Sequence, residues 1–190
     1  MLGADGVRIC SCAAAITEIG AARGRTPDLV ARMRERGIEL PAIGRVAMGA
    51  ERLLFCVRPS RWIVIVAPTG RDTGSSFVEW QQAGESLGGA VELSAAYVAL
   101  LLQGSRSTDV LSRGCRLDLG SQVFPMGSAA ATIIAQTRVC MAALPIGMLL
   151  LAPSSLARHF RDWLAGAAKP FGLMPQSTIS MAELCRNSEA

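Results

Sequence analysis

Two stretches of this chain follow each other in the same order. Ala67-Pro68, then Phe77 and Trp80, is matched by Ala152-Pro153, then Phe160 and Trp163, at offsets of 83 to 85 residues. Upstream, the segment from Asp28-Leu29-Val30 to Arg36-Gly37 parallels that from Asp109-Val110-Leu111 to Arg113-Gly114, with a shorter helix in the second copy. Recurrence in fixed order at a near-constant offset predicts two similar halves, although two copies are too few for a solenoid. The plainer alternative is that strand–proline–helix is a common connection and the tryptophans are simply core. Under duplication, each half is a small, mostly antiparallel sheet with helices packed on it, an α+β arrangement. The boundaries expected are 1–90 for the first half, 91–172 for the second and 173–190 for a C-terminal tail.

Local signals fill in those halves. Val7 to Cys12 alternates weakly and reads as an edge strand, whereas the alanine-rich Ala13 to Gly24 has no clear assignment. Thr26-Pro27-Asp28 is a helix start, with threonine as N-cap and proline at the first turn. Leu53 to Val57 and Trp62 to Ala67 read as strands joined by the turn-forming Arg58-Pro59-Ser60-Arg61. Ser76-Phe77-Val78-Glu79 has capping-box spacing ahead of a helix that buries Phe77, Trp80, Gly84 and Leu87. In the second half, Tyr97 to Leu102 is a strand and Asp109 to Gly114 a short helix that glycine closes by tolerating the left-handed conformation. Ala131 to Ala135, Val139 to Leu144 and Met148 to Ala152 are further strands. A last helix turns Leu156, Phe160, Trp163, Leu164 and Ala167 inward and ends at Gly172. Met174 to Ala190 has too few apolar residues for a core and is expected to lie on a partner or fray.

Composition limits the function classes. Apolar residues are 51% and charged ones 18%, which suggests that something other than this chain covers part of its apolar surface. The net charge of +4 rests on eighteen arginines and one lysine. Nine of those arginines lie between Arg23 and Arg61 against four acids. A basic surface attracts nucleic acid, membrane or an acidic partner. Nucleic-acid binding also calls for aromatic platforms or a reading helix, and only Phe55 and Trp62, inside apparent strands, are near. The six cysteines have no CxxC spacing and there is one histidine, so no zinc site is expected. The longest apolar run, Val139 to Ala152, is interrupted by Pro145 and Gly147 and falls short of the roughly 20 residues of a span. No secretory signal is apparent and a cytoplasmic location is the default.

No catalytic constellation emerges. His159 lies about 100° from the buried stripe of its helix, and no nucleophile or orienting group is placed beside it by sequence. Asp109 and Asp118 have capping or turn roles. Gly104 to Ser107 lacks the pattern of a phosphate loop. Gly88-Gly89 reads as a helix stop. The expected catalytic, cofactor-binding and metal residues are therefore none.

One stretch does carry a likeness. Glu92-Leu93-Ser94, Gly104, Asp109-Val110-Leu111, Gly114, Asp118-Leu119, Phe124-Pro125-Met126-Gly127 and Phe160-Arg161-Asp162-Trp163 together resemble the gamma subunit of heterotetrameric sarcosine oxidase, a relative of the glycine-cleavage T-protein fold. The likeness is close from Val91 to Gly172 and looser before it. It implies a T-protein-like fold in two α/β halves and a non-catalytic assembly subunit. The implied partners are the alpha, beta and delta subunits, with FAD, FMN, NAD and zinc carried by them and none by this chain. The complex so implied oxidises sarcosine to glycine and passes a one-carbon unit to tetrahydrofolate. Glu92 where aspartate is common, a short hairpin with Pro145 and the extension from Met174 depart from the pattern. They leave open a sister complex acting on N-methylglutamate or hydroxyproline, or a folate-binding aminomethyltransferase-like protein.

Overall fold

Long apolar strands set the layering. Four consecutive residues of Arg52–Arg58 and five of Gly147–Pro153 are buried, so these strands must be covered on both faces. The computed structural model describes residues 6–49, 51–68 and 74–185, with the side chains of 74–76 excepted. Within them the chain runs β1 (Arg8–Cys12), β2 (Ala15–Ala21), α1 (Thr26–Glu35), β3 (Val46–Met48), β4 (Arg52–Arg58), β5 (Arg61–Val66), α2 (Gly74–Ala83) and β6 (Gly88–Glu92). It continues with β7 (Tyr97–Gln103), α3 (Ser107–Ser112), β8 (Ala129–Ile134), β9 (Thr137–Leu144), β10 (Gly147–Pro153), α4 (Ala157–Ala168), β11 (Ser177–Ile179) and α5 (Met181–Cys185).

Two sheets stand face to face. One has the order β3-β4-β5-β2-β6, the other β11-β1-β7-β10-β9-β8. All described pairings are antiparallel except β1 with β11. Ile16, Leu53, Phe55, Ile63 and Ile65 from the first meet Leu101, Leu144, Leu149 and Leu151 from the second in a shared core. Ile19, Leu54, Trp62 and Val64 point away from it, toward α1 and α2 with Leu29, Met33 and Trp80. On the opposite outer face, Leu100, Leu102, Met141 and Leu150 pack under α3 and α4 with Val110, Leu111, Phe160 and Leu164. The result is helices, sheet, sheet, helices, an α+β fold of two similar halves.

The duplication is visible down to single hydrogen bonds. The order β-α-β-β-β-α-β occurs twice, as β2 to β6 and as β7 to β11. In both sheets the second, third and fourth strands of the unit run side by side and the first lies next to the fourth. Leu29 N–H donates to Arg25 O at 3.0 Å, and Val110 N–H to Arg106 O at 3.1 Å. Arg25–Asp28 and Arg106–Asp109 form matching ion pairs at 2.7 and 2.8 Å. Where the two halves meet, Val46 N–H donates to Gly127 O at 2.9 Å and Ala129 N–H to Gly44 O at 2.8 Å. Residues 44 and 127, like 46 and 129, are 83 apart. Gly44 and Gly127 share the left-handed conformation, φ 78° and 82°, which a side chain would strain. A pseudo-twofold axis therefore passes between these two loops. Common strand–proline–helix connections would not produce this correspondence.

Several local expectations change. β1 is not an edge strand: it lies between β7 and β11. The unassigned Ala13 to Gly24 contains β2, an interior strand between β5 and β6. Thr26 is the first helical residue rather than the cap, and its hydroxyl instead shares a 2.6 Å hydrogen bond with Ser60. Ser76 lies within the helix that carries Trp80, which runs from Gly74 to Ala83, and its side chain is outside the described residues. Gly114 does not have positive φ; a Cβ there would strike the ring of Trp163. Gly88-Gly89 opens β6 rather than stopping a helix. Leu156 is exposed and Trp163 only half-buried, leaving Phe160, Leu164 and Ala167 as the buried face. From Met174 to Cys185 the segment packs on its own chain: β11 joins β1, and Met181, Leu184 and Cys185 enter the shared core. Residues 186–190 lie outside the described residues.

Candidate functional site

The chemistry-bearing residues singled out by sequence are scattered. His159 is exposed on α4, and no partner accompanies it among the described residues. Asp109 holds Arg106, and Asp118 Oδ1 accepts the Gly120 N–H at 2.8 Å, a turn closure. Among the described residues no group of three or more His, Cys, Asp and Glu could hold a metal. Cys10, Cys12, Cys56 and Cys185 are buried. Burial, with lesser contributions from Cys185 and Cys10, pushes the Cys12 thiol up to about 11. It is therefore a neutral, unreactive group at physiological pH. Of the arginines between 23 and 61, Arg58 and Arg61 close over Glu18, while Arg23, Arg25, Arg34 and Arg36 are exposed at or near α1.

Two surface features are built rather than scattered. At the pseudo-twofold axis, the loops carrying Ile43 and Met126, 83 residues apart, expose both side chains, at 59% and 67%. Val123, 63% exposed, and Leu117 join Ile43 on the walls of a groove of about 490 Å³, with Phe124 and Pro125 beside them. The groove draws on both halves, and Arg45, Asp118, Gln122 and Ser128 share its walls with the apolar residues. The second feature is a cavity of about 610 Å³ at one end of the six-stranded sheet. The end of β1, the start of β7, the end of β11 and Arg161 of α4 enclose it. Sequence reasoning did not pick out this cavity, since its walls come from five separated segments. Arg161 sits unmarked between two aromatic core residues.

The model of the sarcosine oxidase, gamma subunit family matches residues 23–169. The chain belongs to that family. The match takes in most of the first half as well as nearly all of the Val91 to Gly172 stretch where the motifs are densest. Among solved structures, heterotetrameric sarcosine oxidase from Corynebacterium sp. U-96 contains a similar chain. The two share 22% identity and a TM-score of 0.77 over 92% of this chain and 90% of that one. Aminomethyltransferase T of the glycine cleavage system from Bartonella henselae is similar at 13% identity and a TM-score of 0.64. That likeness covers 95% of this gamma-family chain but 49% of the aminomethyltransferase, about half its length. At these identities both likenesses concern the fold. No curated protein matches by sequence.

Proposed function

We propose that this chain is an accessory subunit of a heterotetrameric sarcosine oxidase, contributing to assembly and without an active site of its own. The observation that carries this reading is membership of the gamma subunit family across residues 23–169. Its companions are then alpha, beta and delta subunits, with FAD, FMN, NAD and zinc held by them. The complex demethylates sarcosine oxidatively to glycine and gives its one-carbon unit to tetrahydrofolate in the cytoplasm; neither nucleic acid nor membrane is a partner. The exposed side chains of Ile43, Val123 and Met126 near the pseudo-twofold axis support a subunit role, because a companion chain would cover them.

Co-expression with the large flavin-containing chains tests the assignment. A stoichiometric complex that turns over sarcosine is expected, and failure to copurify with them overturns it. Purified alone, the chain should be colourless and inactive on secondary amines. In the complex, His159→Ala should leave turnover within about twofold, since no acid–base role is built around it. A hundredfold loss with assembly intact would sink the non-catalytic reading. Assays of the same complex with N-methylglutamate and hydroxyproline decide between sarcosine and a related amine. The likeness to an aminomethyltransferase fold prompts one further measurement: tight tetrahydrofolate binding by the isolated chain would favour a folate-dependent role instead.

A further inference from the structure

Two side-chain nitrogens are buried without a hydrogen-bond partner among the described residues, Arg8 Nε and Arg161 Nε. Arg161 lines a cavity. It is the sole charged residue lining the 610 Å³ space at the end of the six-stranded sheet. No carboxylate pairs with it among the described ion pairs. A partly buried guanidinium with no counter-charge is costly, because desolvation is not offset by hydrogen bonds or an anion.

The surrounding groups narrow what could offset it. Ser11 pairs with Thr178 across β1 and β11 and with Leu100 across β1 and β7. Since Leu100 faces α4, the pleat puts Ser11 and Thr178 on the same face as the helix that carries Arg161. Neither hydroxyl has a protein partner among the described hydrogen bonds, whereas Ser180 is engaged by Glu183 and Ser94 accepts the Ile16 N–H at 2.8 Å. Apart from the Tyr97 phenol, the remaining walls are mostly apolar, among them Ile16, Val98, Ala99 and Ile179. A mostly apolar cavity of this size with a few convergent polar groups fits small-molecule sites, which run from about 300 to 1,000 Å³.

We propose that this cavity binds a small carboxylate with an apolar body, its anionic end held by Arg161 with the hydroxyls of Ser11 and Thr178. A short rotation of the guanidinium presents Nε and a terminal nitrogen together to the two carboxylate oxygens. That bidentate geometry distinguishes arginine from lysine. The Cys12 thiol in the wall stays protonated, so it does not repel an anion. The same chemistry has a second source, an acidic side chain of a companion subunit reaching into the cavity.

Titration of benzoate against its neutral isostere benzamide, into the full chain and into the assembled complex, tests the site. Benzoate should bind at least tenfold tighter than benzamide. Arg161→Gln should abolish that difference, and Arg161→Lys should restore only part of it. Thermal melts of each variant separate loss of binding from loss of fold. Ala13→Phe, which fills the cavity from an exposed wall position without touching Arg161, should block benzoate as well. Benzoate bound by the complex as well as by the chain identifies a free carboxylate. Benzoate bound by the chain but excluded from the complex identifies a companion's acidic side chain. Equal affinity for benzoate and benzamide, no benzoate binding to either form, or full benzoate binding by folded Arg161→Gln overturns the proposal.

Discussion

Gly114 and Trp163 constrain each other. The indole stacks on Phe160 with ring centroids 6.2 Å apart and covers the position where residue 114 would carry a Cβ. Gly114→Ala should therefore destabilise by about 1–3 kcal/mol through overpacking. In a Trp163→Ala background that penalty should nearly vanish, a coupling measured by denaturant unfolding of the double-mutant cycle. The glycine was legible in sequence, but its reason was not, since the ring that requires it lies 49 residues further on. Cys12 gives a test by pH. Its folded value of about 11 exceeds the ordinary 9.0, so above pH 9 the unfolded chain releases a proton that the folded chain keeps. This contribution to stability is complete below about pH 9 and is lost as pH rises toward 11. Melting temperature should fall over that window, and less steeply in Cys12→Ala.

At the scale of elements, strong periodicity was readable and weak propensity was not. The apolar runs of β4, β5, β7 and β10 and the stripe of α4 stand out because they bury large side chains on fixed faces. β2 was obscured by alanine and glycine, which are poor strand formers on their own. It sits inside a sheet, where backbone pairing on both sides holds it. The C-terminal segment was underestimated for a different reason. Ser180 and Glu183 form a true capping box: Ser180 N–H donates to Glu183 Oε2 at 2.8 Å and Glu183 N–H to Ser180 Oγ at 3.2 Å. The serine–x–x–glutamate spacing was present in the sequence, but the helix behind it is only five residues long. Ser180→Ala should cost about 1 kcal/mol. Deletion from residue 176 onward should cost several, because it uncovers Cys12 and Leu53 in the shared core. Urea midpoints of both variants check this; an unchanged midpoint on deletion would return the segment to the status of a tail.

For the whole molecule, the groove at the pseudo-twofold axis is where assembly should be most sensitive. Exposed apolar side chains cost nothing in fold stability when made polar, yet at an interface core they carry much of the affinity. Ile43→Glu together with Met126→Glu should leave the melting temperature of the chain nearly unchanged and reduce copurification with the companion subunits by tenfold or more. Undiminished recovery of the complex would move the contact elsewhere. The arginines exposed around α1 are better placed to affect association rate than its strength, so their neutralisation should slow assembly chiefly at low salt.

The placement of β1 has a consequence for synthesis. It pairs with β7, Arg8 with Gln103, and with β11, Cys10 with Ser177, while every strand of the other sheet lies between Ala15 and Glu92. On the ribosome β1 thus emerges before the whole five-stranded sheet and long before either of its own partners. The five-stranded sheet can assemble as the chain grows, but β1 waits beside it through the making of some ninety further residues before β7 appears. During that interval an apolar strand edge stands open to neighbouring chains. A crowded polysome is where this protein is most exposed to going astray, and slow translation between β1 and β7 prolongs the exposure.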